Sequence, residues 1–241
     1  VKRLADGVYN YATGQPIQMP ELSPLTYGHT DARLILRVGG SMGDVYGQRL
    51  LKRDLNGYIL NEEGVGLAME NKETYLGSIL PKMNMGWSLG FGYKGVNLGM
   101  TFTGRFGGIV ISETQSVLDA AGVSKVSADV RDAGGVQINQ SKVSAQTYYQ
   151  TIQGTAAYYT YSATNVRLGE LSLSYTLPKK WFDNKVGMTV GLVGKNLWMI
   201  YCKAPFDPEL TTSAASNFYQ GFDAYMLPST RNFGFNVKFQ F

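Results

Sequence analysis

Residues 85–106 read MGWSLGFGYKGVNLGMTFTGRF, and the spacing of their apolar side chains decides the fold. Met85, Trp87, Leu89, Phe91 and Tyr93 alternate with Gly86, Ser88, Gly90 and Gly92. A period of two puts the two sets on opposite faces of one strand. Lys94-Gly95 follows, a two-residue turn in which Gly supplies a positive φ. Val96, Leu98, Met100 and Phe102 then alternate with Asn97, Gly99, Thr101 and Thr103. Such a turn sets Tyr93 opposite Val96, Phe91 opposite Leu98, Leu89 opposite Met100 and Trp87 opposite Phe102. Opposed residues share a face, and all four pairs are apolar with apolar. A slip of one residue would break every pair.

The same period recurs along the chain. Phe233, Phe235, Val237, Phe239 and Phe241 alternate with Asn232, Gly234, Asn236, Lys238 and Gln240. Leu171, Leu173, Tyr175 and Leu177 alternate with Glu170, Ser172, Ser174 and Thr176. A longer strand is expected over 186–201, with Met188, Val190 and Leu192 sharing a face with Trp198 and Ile200. Weaker strands are expected in 32–38 and 45–55. The polar face of the first hairpin is made of Gly, Ser, Asn and Thr, with Lys94 at the turn as its charge. A soluble barrel shows many Lys and Glu there. Small uncharged residues suit a crowded lumen, so the expected fold is all-β, an antiparallel transmembrane β-barrel.

Connection lengths agree. Lys94-Gly95 is tight and 178–185 is short, whereas 107–164 and 202–228 are long. Strand directions counted back from Phe241 put short turns on one rim and long loops on the other, the arrangement of outer-membrane barrels. Tyr93, Tyr175, Trp181, Phe182, Phe239 and Phe241 are expected near the short-turn rim. Trp87, Trp198, Tyr201 and Phe233 are expected nearer the long-loop rim, where aromatic rings favour the headgroup level. Within 107–164, Glu113 to Ala121 reads as a helix with Ser112 as N-cap and Gly122 as stop. Ser144 to Thr151 reads as another.

Composition sets other classes aside. The chain has 241 residues, 44% of them hydrophobic, with 29 Gly, 16 Tyr and 11 Phe. No stretch approaches the roughly 18 apolar residues of a transmembrane helix. Net charge is +4, but the basic residues are scattered, which sets nucleic acid aside. Cys202 is the single cysteine and His29 the single histidine, so neither an internal disulfide nor a His-based metal cluster is expected. Gly104 to Gly108 lacks the Lys-Ser/Thr of a phosphate loop. No catalytic residues, metal or cofactor are expected. The start, Val1-Lys2-Arg3-Leu4, has no apolar signal region and reads as mid-protein.

Several short motifs, in order, carry a family resemblance. Gly43-Asp44-Val45-Tyr46-Gly47 resembles the "GDIYG" of SusC/RagA-type TonB-dependent transporters, and Gly104-Arg105-Phe106-Gly107-Gly108 resembles their strand end. Val166-Arg167-Leu168 with Leu171 to Pro178 is similar to their "VRLRELSLSYTLP". Gly194-Lys195-Asn196-Leu197 resembles "GQNL", and Phe206-Asp207-Pro208-Glu209 resembles "FDPE". Lys195 and Cys202 depart from the pattern. The resemblance implies that 1–241 is the C-terminal portion of a barrel of roughly 22 strands, with the plug domain and TonB box outside this chain. It implies import of oligosaccharides or oligopeptides across the bacterial outer membrane, powered through TonB. A SusD-like surface lipoprotein would act as lid on loops 107–164 and 202–228. No bond is broken, so an enzyme is not expected. Phe241 reads as a last lipid-facing side chain, and the resemblance adds a barrel-assembly signal.

Candidate substrate or lid contacts are Tyr148, Tyr149, Tyr158, Tyr159, Asp207 and Glu209, with packing inside the loops as the alternative. The alternative function is a complete small barrel of eight to ten strands with a structural or adhesive role. A soluble binding module is a third reading, disfavoured by the aromatic face of 233–241. Two strand edges left open in lipid are costly, so isolated 1–241 is expected to aggregate.

Overall fold

The computed structural model describes residues 25–26, 29–37, 39–62, 66–182, 186–210 and 220–240. In chain order these contain β1 (Leu25–Thr26), β2 (Arg33–Leu34), β3 (Asp44–Leu51), β4 (Asn61–Glu62), β5 (Gly66–Leu67), β6 (Met69–Ser78), β7 (Met83–Tyr93), β8 (Val96–Phe106) and β9 (Ile109–Ser112). Helices α1 (Glu113–Ala120) and α2 (Lys125–Asp132) follow, then β10 (Val136–Ile138), β11 (Ser141–Val143) and α3 (Ala145–Ile152). The remainder is β12 (Thr160–Ser162), β13 (Asn165–Thr176), β14 (Gly187–Cys202), β15 (Phe222–Asp223) and β16 (Asn232–Gln240). The chain divides into two units, described separately below.

One unit, residues 81–107, 162–208 and 227–241, is an antiparallel sheet in the order β16-β14-β13-β8-β7. The β7–β8 register is the expected one: Tyr93 opposes Val96, Phe91 opposes Leu98, Leu89 opposes Met100 and Trp87 opposes Phe102. Lys94 and Gly95 both take positive φ, 45° and 86°. That is the left-handed geometry whose twist matches the flanking strands. A side chain at Gly95 would also meet the Thr176 carbonyl. β14 carries a bulge where Asn196 takes φ +54° and donates from Nδ2 to the Thr230 carbonyl at 3.2 Å. The bulge re-aims the strand, which is why the alternation over 186–201 reads less cleanly than its neighbours.

The other unit, residues 1–80, 108–161 and 209–226, holds the sheet β1-β2-β3-β6, the three helices, and the sheet β12-β9-β15. Its core packs Ala32, Leu34, Val45, Ile79, Ile111, Ala156 and Phe222. A second cluster packs Leu51, Leu67, Ile138, Tyr149, Ile152 and Tyr159. The motif 43–47 is structural here. Gly43 lies where a Cβ would run into the Leu80 and Ile79 side chains. Asp44 accepts from Ser41 N and Tyr75 Oη, and Val45 is fully buried.

Both expected helices are present with their caps. Ser112 and Ser144 accept from Gln115 N and Thr147 N, satisfying otherwise orphaned donors. α1 ends at Gly122, φ +72°, with Gly122 N donating to Asp119 O and Val123 N to Leu118 O. Two elements had no clear signal. α2 has apolar residues at Val126 and Val130, and Val126 is exposed, so no apolar stripe announces it. β6 reads MENKETYLGS, and its charges mask the period. The stretch 107–164, expected as loop with two helices, is instead largely ordered structure.

Candidate functional site: a two-faced sheet and a tyrosine cluster

Registers across the sheet align the apolar residues in rows. One row runs Phe91, Leu98, Leu173, Leu192, Phe235. The next runs Tyr93, Val96, Tyr175, Val190, Val237. Toward the other end come Leu89, Met100, Leu171, Gly194, Phe233, and then Trp87, Phe102, Leu168, Trp198. Most of the large side chains in these rows are exposed, Phe233 at 80% and Tyr93 at 72%, while others such as Met100 and Phe102 are half-buried. Water-exposed apolar patches beyond a few hundred Å² mark interaction surfaces.

The opposite face is built mostly of small polar residues, with Glu170 and Lys195 as a charged pair on it. Its rows run Gly92, Asn97, Ser174, Gly191, Asn236 and Ser88, Thr101, Glu170, Lys195, Asn232. Hydroxyls pair across it, Ser88 with Thr101 at 3.1 Å and Thr176 with Thr189 at 3.2 Å. Lys195 lies 3.7 Å from Glu170, so the residue that departs from the motif is matched by a carboxylate on the next strand.

The aromatics expected at the rims lie toward the two ends of the sheet, with Phe91 and Phe235 in the row between them. Tyr93 and Tyr175 share the row nearest the two-residue turn, with Phe239 one pair beyond it, opposite Met188. Trp181 and Phe182 occupy the short connection after β13, and Trp181 N donates to the Pro178 carbonyl. Trp87 and Trp198 share the far row, and Tyr201 lies just beyond, opposite Val166. Trp87 and Tyr93 are six positions apart, about 20 Å along a strand. Phe241 lies outside the described residues.

The candidate contact residues divide sharply. Asp207 is no exposed loop carboxylate. Arg167 Nη1 donates to its Oδ2 at 3.0 Å and Nη2 to its Oδ1 at 2.7 Å, with both side chains about nine-tenths buried. Pro208 beside it is fully buried. This corrects the reading of Asp207 as a substrate contact, because a carboxylate spent on a buried guanidinium has no face for a ligand. Glu209 remains exposed. Tyr159 and Tyr149 are 2% and 7% exposed, so they too are core residues rather than a stacking surface. Tyr148 and Tyr158 are half-buried, and Tyr158 Oη accepts from Leu51 N at 3.1 Å. Burial, and then the nearby Asp119 carboxylate, push the Tyr149, Tyr159 and Tyr161 hydroxyls upward, Tyr161 to about 12. Sequence reasoning passed over Asp119 and the Arg167–Asp207 pair, since only proximity in space distinguishes them from solvated charges.

His29 is exposed. Cys202 Sγ points at the Ala204 and Phe206 carbonyls, 3.5 and 3.7 Å away. Among the described residues no cluster of three or more His, Cys, Asp or Glu could hold a metal. No described helix is long and apolar enough to cross a membrane, a statement that leaves strands untouched.

No family model and no curated protein matches the sequence. Solved structures do. A chain of the RagAB peptide importer in its closed-closed state matches with a TM-score of 0.56 and 18% identity, over 90% of this chain and 24% of that one. A chain of the RagAB peptide transporter matches with a TM-score of 0.50 and 22% identity, over 74% of this chain and 21% of that one. This chain thus spans about a quarter of their length, and at such identities the likeness is one of fold. Both are described as carriers of peptide, not as enzymes. The all-β fold read from the period of two is therefore the fold that this chain shares with a segment of RagAB, in keeping with the SusC/RagA-like motifs.

Proposed function

We propose that this chain forms part of the wall and external loops of a TonB-dependent importer in the bacterial outer membrane, and breaks no bond. The observation that carries the reading is the two-faced sheet, with two apolar rows running across all five of its strands. In lipid the apolar face is solvated by acyl chains, and the face of Gly, Ser, Asn and Thr lines the interior. Tyr and Trp side chains toward both ends of that face suit the headgroup level. β7 and β16 each pair on one side only among the described residues, which counts against a small closed barrel and fits a segment of a larger one.

Of the two cargo classes, oligopeptides are favoured over oligosaccharides, since the similar solved structures carry peptide. A SusD-like lipoprotein is the expected surface partner and TonB the energy source, engaged through a region outside this chain. The test is uptake of a fluorescent oligopeptide by cells with and without the full-length gene, with the protonmotive force intact or collapsed. Uptake that needs both supports the reading. A protein found in the outer membrane whose loss changes no solute uptake would point to the structural or adhesive alternative.

A further inference from the structure

A cleft of about 510 Å³ opens between the end of α1, the side of α2 and the first turns of α3. Asp119 lines it, yet is only 5% exposed. Its Oδ1 accepts from Gln115 Nε2 at 2.7 Å, and no ion-pair partner accompanies it among the described residues. A buried carboxylate without a counter-charge is costly. We propose that this cleft binds a primary ammonium group, the N-terminus or a lysyl side chain of a peptide, with Asp119 as its counter-ion and the Tyr149 ring beside it.

Two features favour an ammonium. The last residues of α1, through Gly122, line the cleft and bring the negative end of the helix dipole to it. Tyr149 contributes an aromatic ring, which attracts a cation over its face. A hard metal ion would need six or more oxygen ligands, for which the site offers too few acids. A neutral sugar would leave the carboxylate uncompensated. Arg131 also lines the cleft, but its side chain is exposed and lies 3.8 Å from Asp132. It repels a cation and favours a ligand with a single ammonium.

The choice of a peptide as the bearer of the amine rests on the importer reading; the ammonium site itself does not. The test is calorimetric titration of the full-length protein with a C-amidated tetra-alanine peptide, free or acetylated at its N-terminus. The free amine is expected to bind at least ten-fold more tightly. Asp119→Asn, which preserves shape and a hydrogen-bonding oxygen, removes the difference. Arg131→Gln, at an exposed position, tightens the free amine two- to three-fold. Equal binding of the two peptides, no binding of either, or discrimination that survives Asp119→Asn would overturn the proposal, as would weaker binding by Arg131→Gln. Amine discrimination without cellular uptake would sink the importer and spare the cleft. Uptake without discrimination would do the reverse.

Discussion

Arg167 on β13 grips Asp207 through both carboxylate oxygens, at 2.7 and 3.0 Å, across forty positions of sequence. Each belongs to a separate motif, 166–168 and 206–209, and neither motif announces the other. The guanidinium also donates from Nε and Nη2 to Asn165 Oδ1, both at 3.2 Å. Planar, two-point recognition of this kind is particular to arginine.

The pair predicts an asymmetric mutational result. Asp207→Ala strands a buried guanidinium and is expected to destabilise by about 3–5 kcal/mol, as broken buried pairs do. Replacing both partners, Arg167→Met with Asp207→Leu, should recover most of that loss. Thermal unfolding of the full protein in detergent, alongside protease cleavage within 203–210, checks it. Equal damage from the single and double variants would mean that the ion pair is incidental.

The two faces of the sheet predict opposite responses to charge. Phe91→Lys puts an ammonium in the middle of an apolar row and should cost about 2–4 kcal/mol if that face meets lipid. Asn97→Lys, on the neighbouring strand's polar face, should be tolerated. The fraction of protein running as folded barrel on unheated gels of outer membrane reads both. The reverse ranking would turn the sheet inside out.

Asp31 predicts a local weakness in the other unit. Its Oδ2 accepts from Gln48 N and Arg49 N at 3.0 and 2.7 Å, and its Oδ1 from Ala156 N at 2.6 Å. It therefore satisfies the irregularity where β3 loses register with β6, between Gly47 and Arg49. Asp31→Ala orphans three backbone donors, and about 3 kcal/mol or more should be lost. Hydrogen exchange should quicken at Gln48, Arg49 and Ala156 together, and exchange unchanged at Ala156 would contradict the bridge.

Tyr161 predicts an alkaline limit. Burial, then the charge of Asp119, raises its hydroxyl from 10.0 to about 12. The folded pKa lies above the unfolded one, so its contribution is full below about pH 10 and is lost as pH rises toward 12. Stability of this unit should be level below pH 10 and then fall, and Tyr161→Phe should flatten part of the fall. Tyrosinate absorbance on titration should show a late-ionising fraction that shrinks in that variant.

Much of this architecture is legible because it is local. Period-two alternation, a Lys-Gly turn and Ser N-caps act over a few residues, so β7, β8, β16, α1 and α3 could be read directly. α2 and β6 could not, since the partners that stabilise them are distant and their own residues are charged or polar. The tyrosines mislead for a related reason. Composition cannot say whether Tyr159 is outside or inside, and the answer depends on what Leu51, Ile138 and Ile152 do around it.

By itself the sequence determined which residues lie on which face and where the hairpin turns, because alternation along a strand is imposed by backbone geometry alone. Tertiary structure decided what stands next to what across long separations. It joined Arg167 to Asp207, carried Asp31 to Ala156, and enclosed Asp119 among tyrosines at the edge of a cleft. Those relationships exist only once the chain has closed its loops, since a charge in solvent and a charge in a core are written with the same letter.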